Sequence, residues 1–439
     1  MSAPSPLEIA RDRFLADATQ LAPGEEDAHL TSLRESAREI FGSLGLPHSK
    51  LEDWRYTNVS PLARLEPGLA PAGTLPEADR VDELALLENP DARRAVVVDG
   101  RFAPELSNAG DAVASIAELR RWRPEQLADL GRVAALKLHP FAALNTAFLD
   151  DGVAVQLRTQ PGDSRPLYLL FISTGAAAVA AHPRLLIVAE AFSQAQIVVD
   201  HVSLGGVPGV TNLLGEICVG PEALVDLSLI QREHAGHFHV SGLHVEQRRG
   251  SRVNLRTLSL GGSLVRNDVN LQLAEEGASC LLHGLFVGSD AQLLDNHTLI
   301  DHAVPHCTSD ELYKGLLGGS ARGVFRGRVV VRPHAQHTAA TQSNPNLLLS
   351  RKAEINSKPQ LEIYADDVKC SHGSTIGQLD ADALFYLQAR GIGAEEAKEL
   401  LTHAFAAEIL DALPASGLAK KLEPLVLERL RAAWQEASP

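Results

Sequence analysis

Ala223-Leu224-Val225-Asp226-Leu227-Ser228-Leu229-Ile230 alternates apolar and polar side chains, the period of a strand with one face buried. Residues 253–260 and 281–287 repeat the pattern, and shorter versions stand at 185–188, 196–199, 269–273, 324–331, 353–355 and 361–364. Small or turn-forming residues open the intervals: Gly220, Gly250, Gly277, Asp290, Ser320 and His334. Their separations are 30, 27, 13, 30 and 14 residues, close to multiples of 14. Strands this short cannot bury a face alone, so stacking coil upon coil is the natural solution. A right-angled sandwich of sheets is the alternative, but long hydrophobic strands and Asn-Gly hairpin turns are absent. The expectation is a mainly β protein with a β-helix core over residues 153–377.

Outward from this core the period changes. Leu7–Phe14 and His29–Leu46 carry apolar residues at three- and four-residue spacing, and Pro47 ends the second stretch. Residues 60–95 are rich in Pro, Ala and Gly and read as loop, with a short strand at Val96–Val98. Ile116–Ala135 has a helical flavour, and Asp150-Asp151-Gly152 marks a turn. Residues 1–152 thus form an N-terminal helical and mixed region. Past Gly377, Asp380 is a plausible N-cap for a helix over 381–389 that Gly391 stops. A helix over 394–410 follows, with Ala397, Leu400, Leu401, Ala404, Phe405 and Leu410 expected on one side. A last helix runs over 418–433, so residues 378–439 form a C-terminal helical domain.

The chain has 439 residues and a formal charge of −15, which argues against nucleic acid as partner. It has no apolar run of about 18 residues, so no membrane span is expected. Met1 to Pro6 lacks the basic and apolar regions of a secretion signal, pointing to a cytoplasmic protein. The cysteines Cys218, Cys280, Cys307 and Cys370 lie far apart and form no CxxC pair. Phosphate-cradling, dinucleotide-binding and nucleophile-elbow motifs are all missing.

Seventeen histidines are the anomaly of the composition. His234, His237 and His239 form an HxxHxH cluster, readable as metal ligands or as a solvated polar corner between coils. Cys370-Ser371-His372 is a second candidate. On a strand, residues i and i+2 share a face, placing thiol and imidazole about 7 Å apart. That pair suits iron or zinc, or a Cys–His nucleophile, or merely a buried thiol.

The stretch from Asn356 to Thr375, with Lys369-Cys370-Ser371-His372-Gly373 at its centre, closely resembles the SufB/SufD family of iron–sulfur assembly proteins, nearer to its SufD members. The resemblance extends to Leu384-Phe385-Tyr386-Leu387, Tyr313-Lys314-Gly315, Arg326-Gly327, residues 336–346, Glu52–Thr57 and Leu144-Asn145. It implies a right-handed parallel β-helix between helical ends, and a non-enzymatic scaffold. It also implies pairing with SufB through the β-helix, with the ATPase SufC held by the C-terminal helices, within residues 381–412. An iron–sulfur cluster or iron would be shared with SufB at His372, Cys370 giving support at best. SufB resembles this chain around Thr341-Gln342-Ser343 but carries cysteine at the Ser343 position, and glutamate at the Gly373 position. The likeness therefore implies that His372 cannot complete a site alone, and that a homodimer forms at most off pathway.

Overall fold

The computed structural model describes residues 4–21, 28–70, 75–87, 92–159 and 165–435. From Gly152–Leu157 onward, strands alternate between two parallel sheets. Val210–Val219, Phe238–Gln247, Leu264–Leu273, Leu293–His302 and Arg322–Val331 lie in the first sheet. Leu224–Arg232, Arg252–Ser259, Ser279–Gly288, Thr308–Leu317, Thr338–Leu348 and Val368–Gly377 lie in the second. Each coil gives one strand to each sheet, which makes a two-sided parallel β-helix. Leu264 pairs with Leu293 and Leu293 with Arg322, a step of 29 residues per coil, about two of the 14-residue half-turns. Every corner singled out in the sequence falls at a turn. Gly250 (φ 63°) shows why: a Cβ there would strike the Glu222 carboxylate at 2.3 Å.

The interior is built from columns of equivalent positions. Val155, Ile187, Ile217, Val245, Leu271, Ile300, Val329 and Leu361 stack down the first sheet, each the register partner of the next. All but Leu361, which packs half-buried against it, belong to one apolar core between the sheets. β-Branched residues dominate because they fit a pleated surface and lose little rotamer freedom there.

The N-terminal helices cover the outer face of the first sheet. Phe14, Phe41, Trp54 and Phe141 pack there against Val210, Leu214, Val240 and Leu264. Asn145 locks this layer by donating to the carbonyls of Pro183 (2.8 Å) and Asn212 (2.7 Å). The fully buried Arg184–Glu216 pair lies beneath, its carboxylate also accepting from the backbone of Gly131, Val133 and Ala134. Residues 60–95, expected as loop, contain helices Ser60–Leu65 and Ala78–Leu84 and the start of strand Arg93–Val98. These elements are short and take their stability from docking, so no period reveals them. The helix expected over 116–135 is instead Ile116–Trp122 followed by a 3₁₀ turn at Pro124–Leu127, because Pro124 cannot continue it.

The C-terminal helices cover the second sheet. Leu418, Leu422, Val426 and Leu430 of Leu418–Gln435 are buried against Leu258, Leu285, Val287 and Leu316. In Ala394–Leu410 the buried face is Ala397, Thr402, Ala406, Ile409 and Leu410. Leu400 and Ala404, expected on that face, are exposed. Helix Ala381–Ala389, N-capped by Asp380 as expected, buries no residue at all. Phe385 and Tyr386 on it are 71% and 55% exposed. Among the described residues no helix is long and apolar enough to cross a membrane.

Candidate functional site

His372 and Cys370 stand on Val368–Gly377, the last strand of the second sheet. It pairs with Thr338–Leu348 on one side; among the described residues no strand pairs with its other edge. His372 is exposed and Cys370 half-buried.

The interior column that ends at His372 changes character along its length. Leu167, Ile197, Leu227, Leu255 and Leu282 are successive register partners. The next three partners are Glu311, Gln342 and His372. Glu311 is buried between Thr298 of the opposite sheet, whose hydroxyl donates to it, and Gln342, whose Nε2 donates at 2.6 Å. Burial pushes the Glu311 carboxyl up to about 7, against the opposing effect of those donors. The Oε1 of Gln342 is buried without a partner, one coil below His372.

Local sequence explains this end of the helix. Pro345 has no N–H for the ladder. The pairing of Thr338–Leu348 with Thr308–Leu317 is interrupted between Ser343 and Asn346. Asn344 mends the gap, its Nδ2 donating to the Tyr313 carbonyl at 2.8 Å. Ser374, two residues past His372, donates to the Asn344 carbonyl (3.2 Å) and to the Ser357 hydroxyl (2.8 Å). Those bonds fix which face of the last strand looks inward, and His372 shares it.

Cys370 tops a parallel column of Cys280, Ser309 and Ala340. Small residues between the two thiols leave a groove of about 510 Å³, lined also by Asp310, Thr341 and Lys369. Burial pushes the Cys370 thiol up, disfavouring the thiolate a nucleophile needs. Ser343 and Gly373, the positions where SufB-like sequences carry cysteine and glutamate, are register partners immediately beside His372. Thus a single imidazole, a poorly acidic thiol and two non-ligating neighbours meet at one exposed edge.

The HxxHxH cluster is not the solvated corner it resembled. Only His234 is exposed; His237 and His239 are buried around Glu233. The residues that come close together differ from the spaced motif: His201, one coil away, joins Glu233 and His239 in a compact buried group. His201 and Glu233 carry no local signal, since stacking of separate coils brings them together. Glu311 carries no signal of its own, and Gln342 enters only through the family likeness, because isolated polar residues in a strand read as its solvent face.

A family described as "SUF system FeS cluster assembly, SufBD core domain" matches residues 171–405, and "SufBD protein N-terminal region" matches 13–161. The chain is 34% identical to an iron–sulfur cluster assembly SufBD family protein of Synechocystis sp., over 95% of each chain. It is 30% identical to the iron–sulfur cluster assembly protein SufD of Escherichia coli, over 95% of each. It is 26% identical to SufD of Bacillus subtilis, over 93% of this chain and 95% of that one.

Proposed function

The chain belongs to the SufBD family of iron–sulfur cluster assembly proteins, and from that premise we propose that it is a scaffold subunit of the SUF complex holding iron or a nascent cluster at His372. In this reading it is a binding surface in the cytoplasm rather than an enzyme. SufB joins it along the open strand Val368–Gly377, and SufC docks on the C-terminal helices. Without SufB, the same edge offers itself to a second copy of the chain.

One observation carries the reading: the interior column turns polar over its last three coils and ends in an exposed histidine on a strand with one edge open among the described residues. A neutral imidazole binds iron well, yet one nitrogen is far short of a ligand set. The ligand-poor neighbours Ser343 and Gly373 favour completion by a second subunit. Exposed Phe385, Tyr386 and Leu400 support SufC docking, because the rest of the C-terminal apolar surface is already spent on the chain's own sheet. Iron acquisition and cluster formation would then occur at the junction of the two β-helices.

Anaerobic co-expression with SufB and SufC, read by visible absorption and Mössbauer spectra, tests this. His372→Ala should leave the complex intact and abolish cluster assembly, whereas Cys370→Ser should be mild. Full cluster yield in the His372→Ala complex would overturn the assignment.

A further inference from the structure

The second histidine-rich region has features a metal ion would explain. Glu233 is fully buried, and its ion-pair partners among the described residues are histidines only. Its Oε1 accepts from Thr211 (2.6 Å) and Ser173 (3.3 Å) and lies 3.2 Å from His237 Nε2, which hydrogen-bonds the Thr211 hydroxyl at 3.0 Å; its Oε2 accepts from Gln231 (3.2 Å) and lies 2.7 Å from His239 Nδ1. His237 supplies no obvious charge, because its Nδ1 accepts from the Gly209 N–H at 3.3 Å, leaving the proton of a neutral ring on Nε2. A buried carboxylate needs positive charge nearby, and a metal ion supplies it as well as a protonated ring does.

His201 supplies the independent observation. Its Nε2 is buried with no hydrogen-bond partner. Its ring stacks on Phe171 (4.7 Å) and meets His239 edge to face (4.8 Å). Beside the two rings is a small void of about 10 Å³, lined by the polar Gln231, Thr257, Ser259 and Asn267 and by apolar side chains, with Glu233 outside it, so the cluster itself rather than this void would seat an ion. Ligand atoms of His201, Glu233 and His239 lie within 4.8 Å of one another, all in the buried interior.

We infer that His201, Glu233 and His239 form a binding site for one divalent transition-metal ion, separate from the edge at His372. Two imidazoles and a carboxylate are a common donor set for zinc, cobalt or ferrous iron. Thr211, Ser173, His237 and Gln231 orient the carboxylate, the outer layer such sites use. Because His201 comes from one coil and Glu233 and His239 from the corner and strand of the next, the ion would staple those two coils together and its binding would couple to folding.

The test uses the full chain carrying His372→Ala and Cys370→Ser, so that neither candidate ligand of the exposed edge remains, loaded with Co²⁺ and freed of loose metal by gel filtration. The expected result is about one Co²⁺ per chain, with the visible bands of a low-coordinate His/carboxylate site, displaced by Zn²⁺. His201→Phe keeps the stack on Phe171 and removes only the nitrogens; it should weaken retention at least about tenfold. Glu233→Gln should do the same, and His234→Ala should not. A purely hydrogen-bonded cluster predicts that His201→Phe is neutral or stabilising and that the parent holds no cobalt. Either result overturns the site, as does unchanged retention in folded His201→Phe. If Glu233→Gln fails to fold, the His201→Phe comparison decides.

Discussion

Two columns run the length of the β-helix interior and end differently. The first, from Val155 to Leu361, is aliphatic at every coil. The second begins just as apolar at Leu167 but finishes as Glu311, Gln342 and His372. Stability alone gives no reason for the second ending: burying a carboxyl and an amide costs free energy that an apolar pair would not. The strands at the end of each sheet differ in the same sense. In the first sheet the closing strand is split into Glu354–Ser357 and Gln360–Ile363 around Lys358-Pro359, a device that discourages pairing. In the second it runs unbroken for ten residues over Val368–Gly377. Polar interior and pairable edge coincide at the end where the proposed function places a partner.

The hardest break of the comparison is in the aliphatic column. Ile300 is fully buried in the core between the sheets. Ile300→Ala should cost about 2–5 kcal/mol, because neighbouring coils cannot collapse into the space. Urea unfolding with an unchanged slope would measure it. A cost below about 1 kcal/mol would mean that the aliphatic column is not close-packed.

The contrast between the columns also marks how far sequence reasoning reaches. Corners were legible because Gly250 and Gly277 need positive φ, which is a local property. The helical ends were legible from Asp380 and the period after it. The columns were not, because register depends on which coil lies above which. Leu293–His302, Thr308–Leu317 and Thr338–Leu348 are not legible as strands for that reason: Asp295, Glu311, Gln342 and Asn344 look like solvent-facing residues and are all buried. His372 stands out in the sequence only through its motif, and the alternation of its strand says nothing of the open edge. The burial of His239 against Glu233 and His201 depends on the stack itself.

A second prediction sharpens the contrast through pH. Glu311 has its carboxyl raised by burial to about 7, above the ordinary 4.5. The folded state therefore keeps a proton that the unfolded chain releases between those values. Stability falls as pH rises through that window and levels off above it, by about 3 kcal/mol at full effect. Glu311→Gln keeps the shape and removes the titration. The difference in unfolding free energy between variant and wild type should grow in the variant's favour from pH 5 to pH 8. A flat difference would show that Glu311 is ionised throughout, with the polar column charged rather than neutral beneath His372.

The smallest expected change in stability falls on the open edge. Ile376 is 54% exposed on Val368–Gly377, an apolar side chain on a strand with one open edge among the described residues. A lysine there loses little buried area, so Ile376→Lys should shift stability by no more than about 0.5 kcal/mol. Its effect on association should be large, since lysine on an edge strand is how sheets refuse further strands, and an interface would have to bury its charge unpaired. Co-purification with SufB should fall at least about tenfold, a loss of about 1.4 kcal/mol or more. His372→Ala, two turns of the pleat away, should leave that association untouched while removing the cluster. Opposite outcomes from neighbouring substitutions separate the edge as a joint from the imidazole as a ligand. If Ile376→Lys pairs normally, the unbroken strand is not the joint, and the contrast between the two closing strands needs another cause.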